Sequence, residues 1–307
     1  MDAVKFSHPD WIVGFTCYEE MENLCTLCSS IDVVIPQDRM FPYSDNQGGT
    51  RLVDCSVLEK SVLKAKELKF DVYVDLHGVF QSSLFGLLAE IPLRYGRDKI
   101  TSKDGAFLFY TKTFYFEKNI NRMERHFNLV RYVYPEIHPV LVHNNWKSRK
   151  IISIFPGSSQ MGILKRWPIQ KYCEMVVKHL FDCRVQLVFG PEDYDVKEYL
   201  KRYPEISIKQ VSCWSDVKNV VDESRIVVGN DCAYLHMAIW KGVPTVMLLG
   251  PTLSAINGVW KYGLGENIES NISCCCNDLW KGKCIHSLRC MNAIPAKDVV
   301  NAIRKFL

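Results

Sequence analysis

Short β-branched runs recur along the chain, each closed by a turn residue and followed by apolar positions at helical spacing. That alternation is the signature of a parallel sheet with crossover helices, an α/β architecture. In the second half the runs are Ile151–Phe155, Val185–Phe189, Ile226–Val228 and Thr245–Leu249. After the first, Pro168 suits an opening helical turn, and Ile169, Tyr172, Cys173, Val176, Val177 and Leu180 fall at i, i+3, i+4, i+7, i+8 and i+11, which predicts a helix lying flat on the sheet. The first half repeats the pattern more weakly, with strands expected at Ile12–Phe15, Val33–Ile35 and Val72–Leu76 and a helix near Ser56–Leu68. Between the halves, residues 143–150 are polar and aperiodic, so we expect an N-terminal domain over 1–142, a linker over 143–150 and a C-terminal domain over 151–307. Two such domains create a cleft, and open parallel sheets bind ligands outside the carboxyl ends of their strands.

Applied to the second half, that rule selects three loops. The loop from Phe155 to Pro168 carries Ser158, Ser159, Lys165 and Arg166 and runs into a helix. Free N–H groups, two hydroxyls and Lys165 suit a diphosphate; a solvated loop with a capping serine is the other reading. Gly190-Pro191-Glu192-Asp193 places a carboxylate just past a strand end, where it can accept ribose hydroxyls or simply start a helix. In Gly229–Ala238 a helix expected to begin near Cys232 offers N–H groups to an anion, with Asp231 as its cap and His236 one turn in, as a functional or a structural histidine. Gly250-Pro251-Thr252 ends the last strand beside the same cleft.

Charge and composition narrow the partners. The 307 residues are 48% hydrophobic and 23% charged, with a net +4 spread without a long basic run, which fits an anionic small ligand and argues against nucleic acid. No stretch approaches the ~18 consecutive apolar residues of a membrane span, and Met1–Lys5 lacks a signal-peptide core, so a cytoplasmic location is expected. Most of the 13 cysteines then read as reduced, small hydrophobes. Cys274, Cys275, Cys276, Cys284 and Cys290 crowd together; Cys274, Cys276, Cys284 and Cys290 offer four soft ligands for structural zinc or iron, and free or paired thiols are the alternative.

Taken in order, Gly157-Ser158-Ser159 with Lys165-Arg166-Trp167-Pro168, Gly190-Pro191-Glu192, Gly229-Asn230-Asp231 through His236 and Ala238, Gly242 through Pro251-Thr252, and Cys290-Met291 with Ile294 resemble glycosyltransferase family 9, the ADP-heptose:lipopolysaccharide heptosyltransferases. Asp71–Gly78 with Ser82, and Ile31–Pro36, extend the resemblance into the first half, from about residue 8 to the end. It implies a GT-B fold of two Rossmann-like domains facing a cleft, with the acceptor on the first and the nucleotide-sugar on the second. Ser158, Ser159 and the backbone at Cys232 and Ala233 would hold the donor diphosphate. Lys165 would meet a phosphate or the sugar, Glu192 the ribose, and Asp231 and His236 the diphosphate and the transferred sugar.

The reaction so implied is an inverting transfer of a heptose-like sugar from ADP-heptose to a hydroxyl acceptor, a glycan or lipid-linked glycan such as lipopolysaccharide core. It needs no metal for its chemistry and fits a peripheral position at the inner membrane. A protein acceptor, or nucleotide-sugar binding without catalysis, are the alternatives. Related autotransporter heptosyltransferases bind iron through cysteines, which extends the metal reading to the cysteine cluster. The family usually opens with a strand and a Gly-rich loop ending in a general-base Asp, which would precede His8–Trp11, the counterpart of the family's second strand region; within this sequence His77 is the substitute candidate, and Asp75 reads as a structural loop acid. No Gly-x-Gly-x-x-Gly follows a strand, which argues against a Rossmann oxidoreductase.

Overall fold

The β-branched runs form parallel strands in both units of the computed structural model, Met1–Val140 and Leu141–Leu307. It describes the chain apart from residues 40–42, 45–49, 52–54, 141–143, 192, 194–198, 273–283 and 285.

The first unit holds α1 (Asp2–Ser7), β1 (Gly14–Tyr18), α2 (Glu22–Cys25), β2 (Val33–Gln37), a short β3 (Tyr43–Ser44) and β4 (Thr50–Arg51) pair, α3 (Cys55–Leu68), β5 (Val72–Val74), α4 (Phe80–Leu88), β6 (Leu93–Arg97), β7 (Lys112–Phe114) and α5 (Arg122–Val133). β1 starts later than the hydrophobic run suggests. The Asp32 carboxylate takes the Val13 N–H at 2.7 Å, the Val13 carbonyl receives Asp32 N–H and Val33 N–H, and Ile12 stays 64% exposed outside the ladder. His8-Pro9-Asp10-Trp11 is a turn after α1 instead of strand, its His8 and Trp11 rings stacked at 3.7 Å.

Among the described residues β1 pairs only with β2, and β5, β6 and β7 form a separate parallel sheet in that order. Leu93 N–H meets the Asp71 carbonyl and Asp75 N–H meets the Tyr95 carbonyl. The backbone groups of Val72 and Val74 therefore point away from β6. A cavity of about 570 Å³, mostly apolar, is lined there by Gly14–Tyr18 and Val72–His77.

The second unit carries β8 (Ile151–Phe155), α6 (Ile169–His179), β9 (Arg184–Phe189), β10 (Ser207–Gln210), α7 (Trp214–Glu223), β11 (Ser224–Asn230), α8 (Ala233–Trp240), β12 (Thr245–Leu249), α9 (Ser254–Asn257), β13 (Gly265–Glu269), α10 (Arg289–Asn292) and α11 (Ala296–Arg304). The sheet order is β10-β9-β8-β11-β12-β13, every pair parallel. This is the doubly wound order, reversing between β8 and β11, and the crevice at that reversal is where such sheets bind ligands.

Alternate residues of the central strands, Ile152, Ile154, Leu187, Phe189, Ile226, Val228, Val246 and Leu248, share one face and pack with Tyr172, Cys173 and Val176 of α6 and Val299, Val300 and Ile303 of α11. Each fully buried aliphatic side chain here stabilises the unit by about 1.5–3 kcal/mol. The helix turns slightly from its expected face, burying Met175 completely and leaving Val177 37% exposed. The polar stretch read as a linker is fastened to this unit from Asn144 onward: Asn144 Nδ2 donates to the Lys241 carbonyl at 2.7 Å, and Arg149 Nη1 to the Ser224 carbonyl at 3.2 Å.

Candidate functional site

The loops that leave β8 and β11 meet where the strand order reverses. From β8 the chain passes Pro156–Ser159 and a 3₁₀ turn over Gln160–Lys165, and from β11 it turns at Asp231 into α8. Lys165 Nζ lies 3.1 Å from Asp231 Oδ2, and His236 Nε2 lies 3.4 Å from Asp231 Oδ1. The Asp231 side chain is 6% exposed, against 27% for Lys165 and 34% for His236. Burial alone would raise the Asp231 pKa, but the His236 hydrogen bond and the Lys165 charge outweigh it and hold the carboxyl at about 2.

Asp231 does not cap the helix. Cys232 holds the N-cap position, with φ −147° and ψ 166° and no side-chain capping bond, and the Asp231 carboxylate turns instead to Lys165 and His236. Burial pushes the Cys232 thiol up to about 11, helped by the Asp231 charge and opposed by backbone N–H groups and Lys165. The start of α8 at Cys232 and Ala233 thus brings a helix N-terminus, with its orphan N–H groups, beside the Lys165–Asp231 pair.

A second ion pair ties the β8 loop to the β9 loop. Arg166 Nη2 lies 3.2 Å from Asp193 Oδ1, with the two side chains 10% and 5% exposed, and Gly190 N–H donates to Asp193 Oδ2 at 2.8 Å. Arg166 Nε also donates to Ser158 Oγ at 3.2 Å, so Ser158 is held by the protein, whereas Ser159 is exposed. Gly157 is required here: a Cβ would sit 2.1 Å from Asp193 Oδ1. Glu192, the residue assigned to ribose, lies outside the described residues.

Buried Asn230 supports the same loops from beneath. Its Oδ1 accepts Trp167 N–H at 2.8 Å and Tyr172 O–H at 3.0 Å, and its Nδ2 donates to the Pro156 carbonyl at 2.7 Å. Neither Arg166–Asp193 nor Asn230 was singled out in the sequence. The available signal was local, an Arg beside Lys165 and a second acid beside Glu192; the partnership spans 27 positions.

In the first unit Asp75 is 2% exposed and accepts His77 and Gly78 N–H groups through Oδ1 and Ser82 and Tyr110 hydroxyls through Oδ2. It shapes the turn after β5 and presents His77, which is exposed. The His77 pKa is lowered, first by partial burial and then by Arg97 and Lys103, with Asp75 opposing. Of the cysteine cluster, Cys274 and Cys276 lie outside the described residues. Cys290 is buried in the second unit's core and Cys284 is half-buried. Among the described residues no group of three or more His, Cys, Asp or Glu side chains converges to hold a metal ion.

With parallel α/β sheets in both units, the chain has the fold of GT-B glycosyltransferases, as its likeness to solved structures over its whole length shows. E. coli heptosyltransferase WaaC with ADP is similar at TM-score 0.75 and 15% identity, over 100% of this chain and 93% of that one. E. coli ADP-heptose lps heptosyltransferase II gives 0.72 and 17%, over 99% and 92%, and a glycosyl transferase family 9 protein from Veillonella parvula DSM 2008 gives 0.74 and 14%, over 99% and 90%. No curated protein matches the sequence. Residues 60–294 match the family model of glycosyltransferase family 9 (heptosyltransferase), and the chain belongs to that family. Among the described residues no helix is long and apolar enough to cross a membrane.

Proposed function

We propose that the second unit holds ADP-heptose and that the protein transfers its heptose-like sugar, with inversion, to a hydroxyl of a glycan or lipid-linked glycan such as lipopolysaccharide core, at the cytoplasmic face of the inner membrane. The observation that carries this reading is the Lys165–Asp231–His236 cluster at the strand-order reversal. Two similar proteins support the donor class, a heptosyltransferase whose structure holds ADP and an ADP-heptose lps heptosyltransferase.

Negative charge grows on the departing diphosphate as the glycosidic bond breaks. Lys165, with the N–H groups at Cys232 and Ala233, stabilises that charge from fixed positions, so the transfer runs without a metal ion. Asp231 fixes Lys165 and orients His236 toward the sugar. Ser158 and Ser159 border the phosphates, and Glu192 accepts the ribose hydroxyls. His77 takes the acceptor proton; its lowered pKa keeps the imidazole neutral and able to do so.

The test is ADP release and product formation from ADP-heptose with a lipopolysaccharide-core acceptor, alongside donor binding on the same preparation. Turnover at about 1 to 10³ per second supports transfer, and His77→Ala should lower it by about 10²- to 10⁴-fold while donor affinity holds. Binding without turnover contradicts the transferase reading, and full turnover in His77→Ala removes the proposed base. Glu192→Ala should weaken ADP but spare inorganic diphosphate; equal losses for both remove the ribose contact.

A further inference from the structure

The carboxyl ends of β5, β6 and β7 carry a second concentration of charge. Arg97 ends β6, Phe116 follows β7, and Arg125 and His126 lie in the first turns of α5. All three polar side chains converge on the ring of Phe116, which is 1% exposed. The Arg97 guanidinium lies 3.8 Å from the ring centre and that of Arg125 5.5 Å, and the His126 ring is 5.4 Å away.

Their hydrogen bonding is incomplete. Arg97 donates through Nη2 to the Leu76 carbonyl at 2.7 Å, and Arg125 through Nη1 to the Lys118 carbonyl at 3.3 Å. The Nε atoms of both arginines and Nδ1 of His126 are buried without a partner among the described residues. No carboxylate forms an ion pair with them there; the nearby acid, Asp75, is already committed to two N–H groups and two hydroxyls. Two guanidinium groups packed on one ring repel each other unless an anion joins them, and a planar guanidinium presents paired donors that match a carboxylate or a phosphate. The cluster also sits at the ends of parallel strands where open α/β sheets receive ligands.

We propose that Arg97, Arg125 and His126 bind an oxyanion, the carboxylate or phosphate group of the acceptor. The assignment to the acceptor rests on the transferase reading; the anion site itself does not, since it belongs to the other unit from Lys165. Burial, then Arg97, Arg125, Arg122 and His77, hold the His126 pKa down at about 4. A bound anion counters those charges; among the carboxylates, Asp75 faces Arg97.

The experiment is an NMR titration of the full chain with inorganic phosphate, and separately with acetate, at constant ionic strength, following the His126 ring and the Arg97 and Arg125 side-chain N–H signals. We expect saturable shifts and a His126 pKa raised by about one unit or more. Arg97→Gln and Arg125→Gln should each weaken binding by about 10-fold or more, as loss of a charge-assisted hydrogen bond implies. Arg97→Lys, which keeps the charge over Phe116, serves as the folded control and should bind at intermediate strength. Tighter phosphate assigns a phosphorylated acceptor, and tighter acetate a carboxylated one. Shifts that do not saturate, or affinity unchanged in both Gln variants, overturn the site. Anion binding without sugar transfer would sink only the transferase reading; sugar transfer without anion binding would sink only this site.

Discussion

Lys165 Nζ and Asp231 Oδ2, 66 positions apart in the chain, lie 3.1 Å apart at the point where the second sheet reverses its strand order. One comes from the loop after the first strand of that sheet and the other from the loop after its neighbour, so the ion pair clasps the two loops that frame the crevice.

The clasp makes a prediction about acid stability. The folded-state pKa of Asp231 is about 2, below its ordinary 3.8, so its contribution is fully present above pH 4 and is lost as the pH falls through about 2. Asp231→Asn should therefore cost about 2 kcal/mol at pH 7, the equivalent of that shift. The gap to the unmodified chain should shrink to a small fraction of that by pH 2. Urea unfolding at both pH values decides it; a gap undiminished at pH 2 shows that Asp231 acts by something other than its charge.

Arg166 and Asp193 form a buried pair, and removing one partner strands the other's charge. Asp193→Ala should destabilise the second unit by about 3–5 kcal/mol, whereas the double change Arg166→Met with Asp193→Leu should recover much of that loss. Comparing the three denaturation curves tests the coupling. A single Asp193→Ala variant as stable as the parent would show that Arg166 finds another acceptor.

Cys232 holds the N-cap of α8 with extended backbone but no side-chain bond. Cys232→Ser supplies a hydroxyl able to accept from Leu235 N–H and should raise stability by about 0.5–1 kcal/mol. The thiol itself, held at about 11 by burial, should alkylate slowly at pH 8 and faster toward pH 11. Rapid modification at pH 7 would contradict its sheltered state.

Much of this arrangement was legible in the sequence because it is set locally. Ile151–Phe155 and Thr245–Leu249 are strands to the residue, and α6 follows Pro168 as its periodicity requires. The helix expected near Cys232 begins one residue later, at Ala233, with Cys232 and not Asp231 at its N-cap, and sequence neighbours do not reveal that Asp231 meets Lys165 across the crevice. Leu93–Arg97 escaped notice since Arg94, Gly96 and Arg97 break the apolar run; Arg94 Nε bonds the Phe109 carbonyl and Arg97 Nη2 that of Leu76. Ser207–Gln210 and Gly265–Glu269 are edge strands, whose polar residues carry no core pattern. The Phe116 cluster could not be anticipated, because its members stand far apart until β6, β7 and α5 assemble.

The most direct test of the donor site is calorimetric titration of ADP-heptose into the unmodified chain and into Lys165→Ala, with melting curves of both. Loss of one charge-assisted hydrogen bond at a half-buried lysine should weaken binding by about 1–3 kcal/mol, with the fold retained. Unchanged affinity in a well-folded Lys165→Ala chain would remove Lys165 from the diphosphate and contradict the placement of the donor at the strand-order reversal.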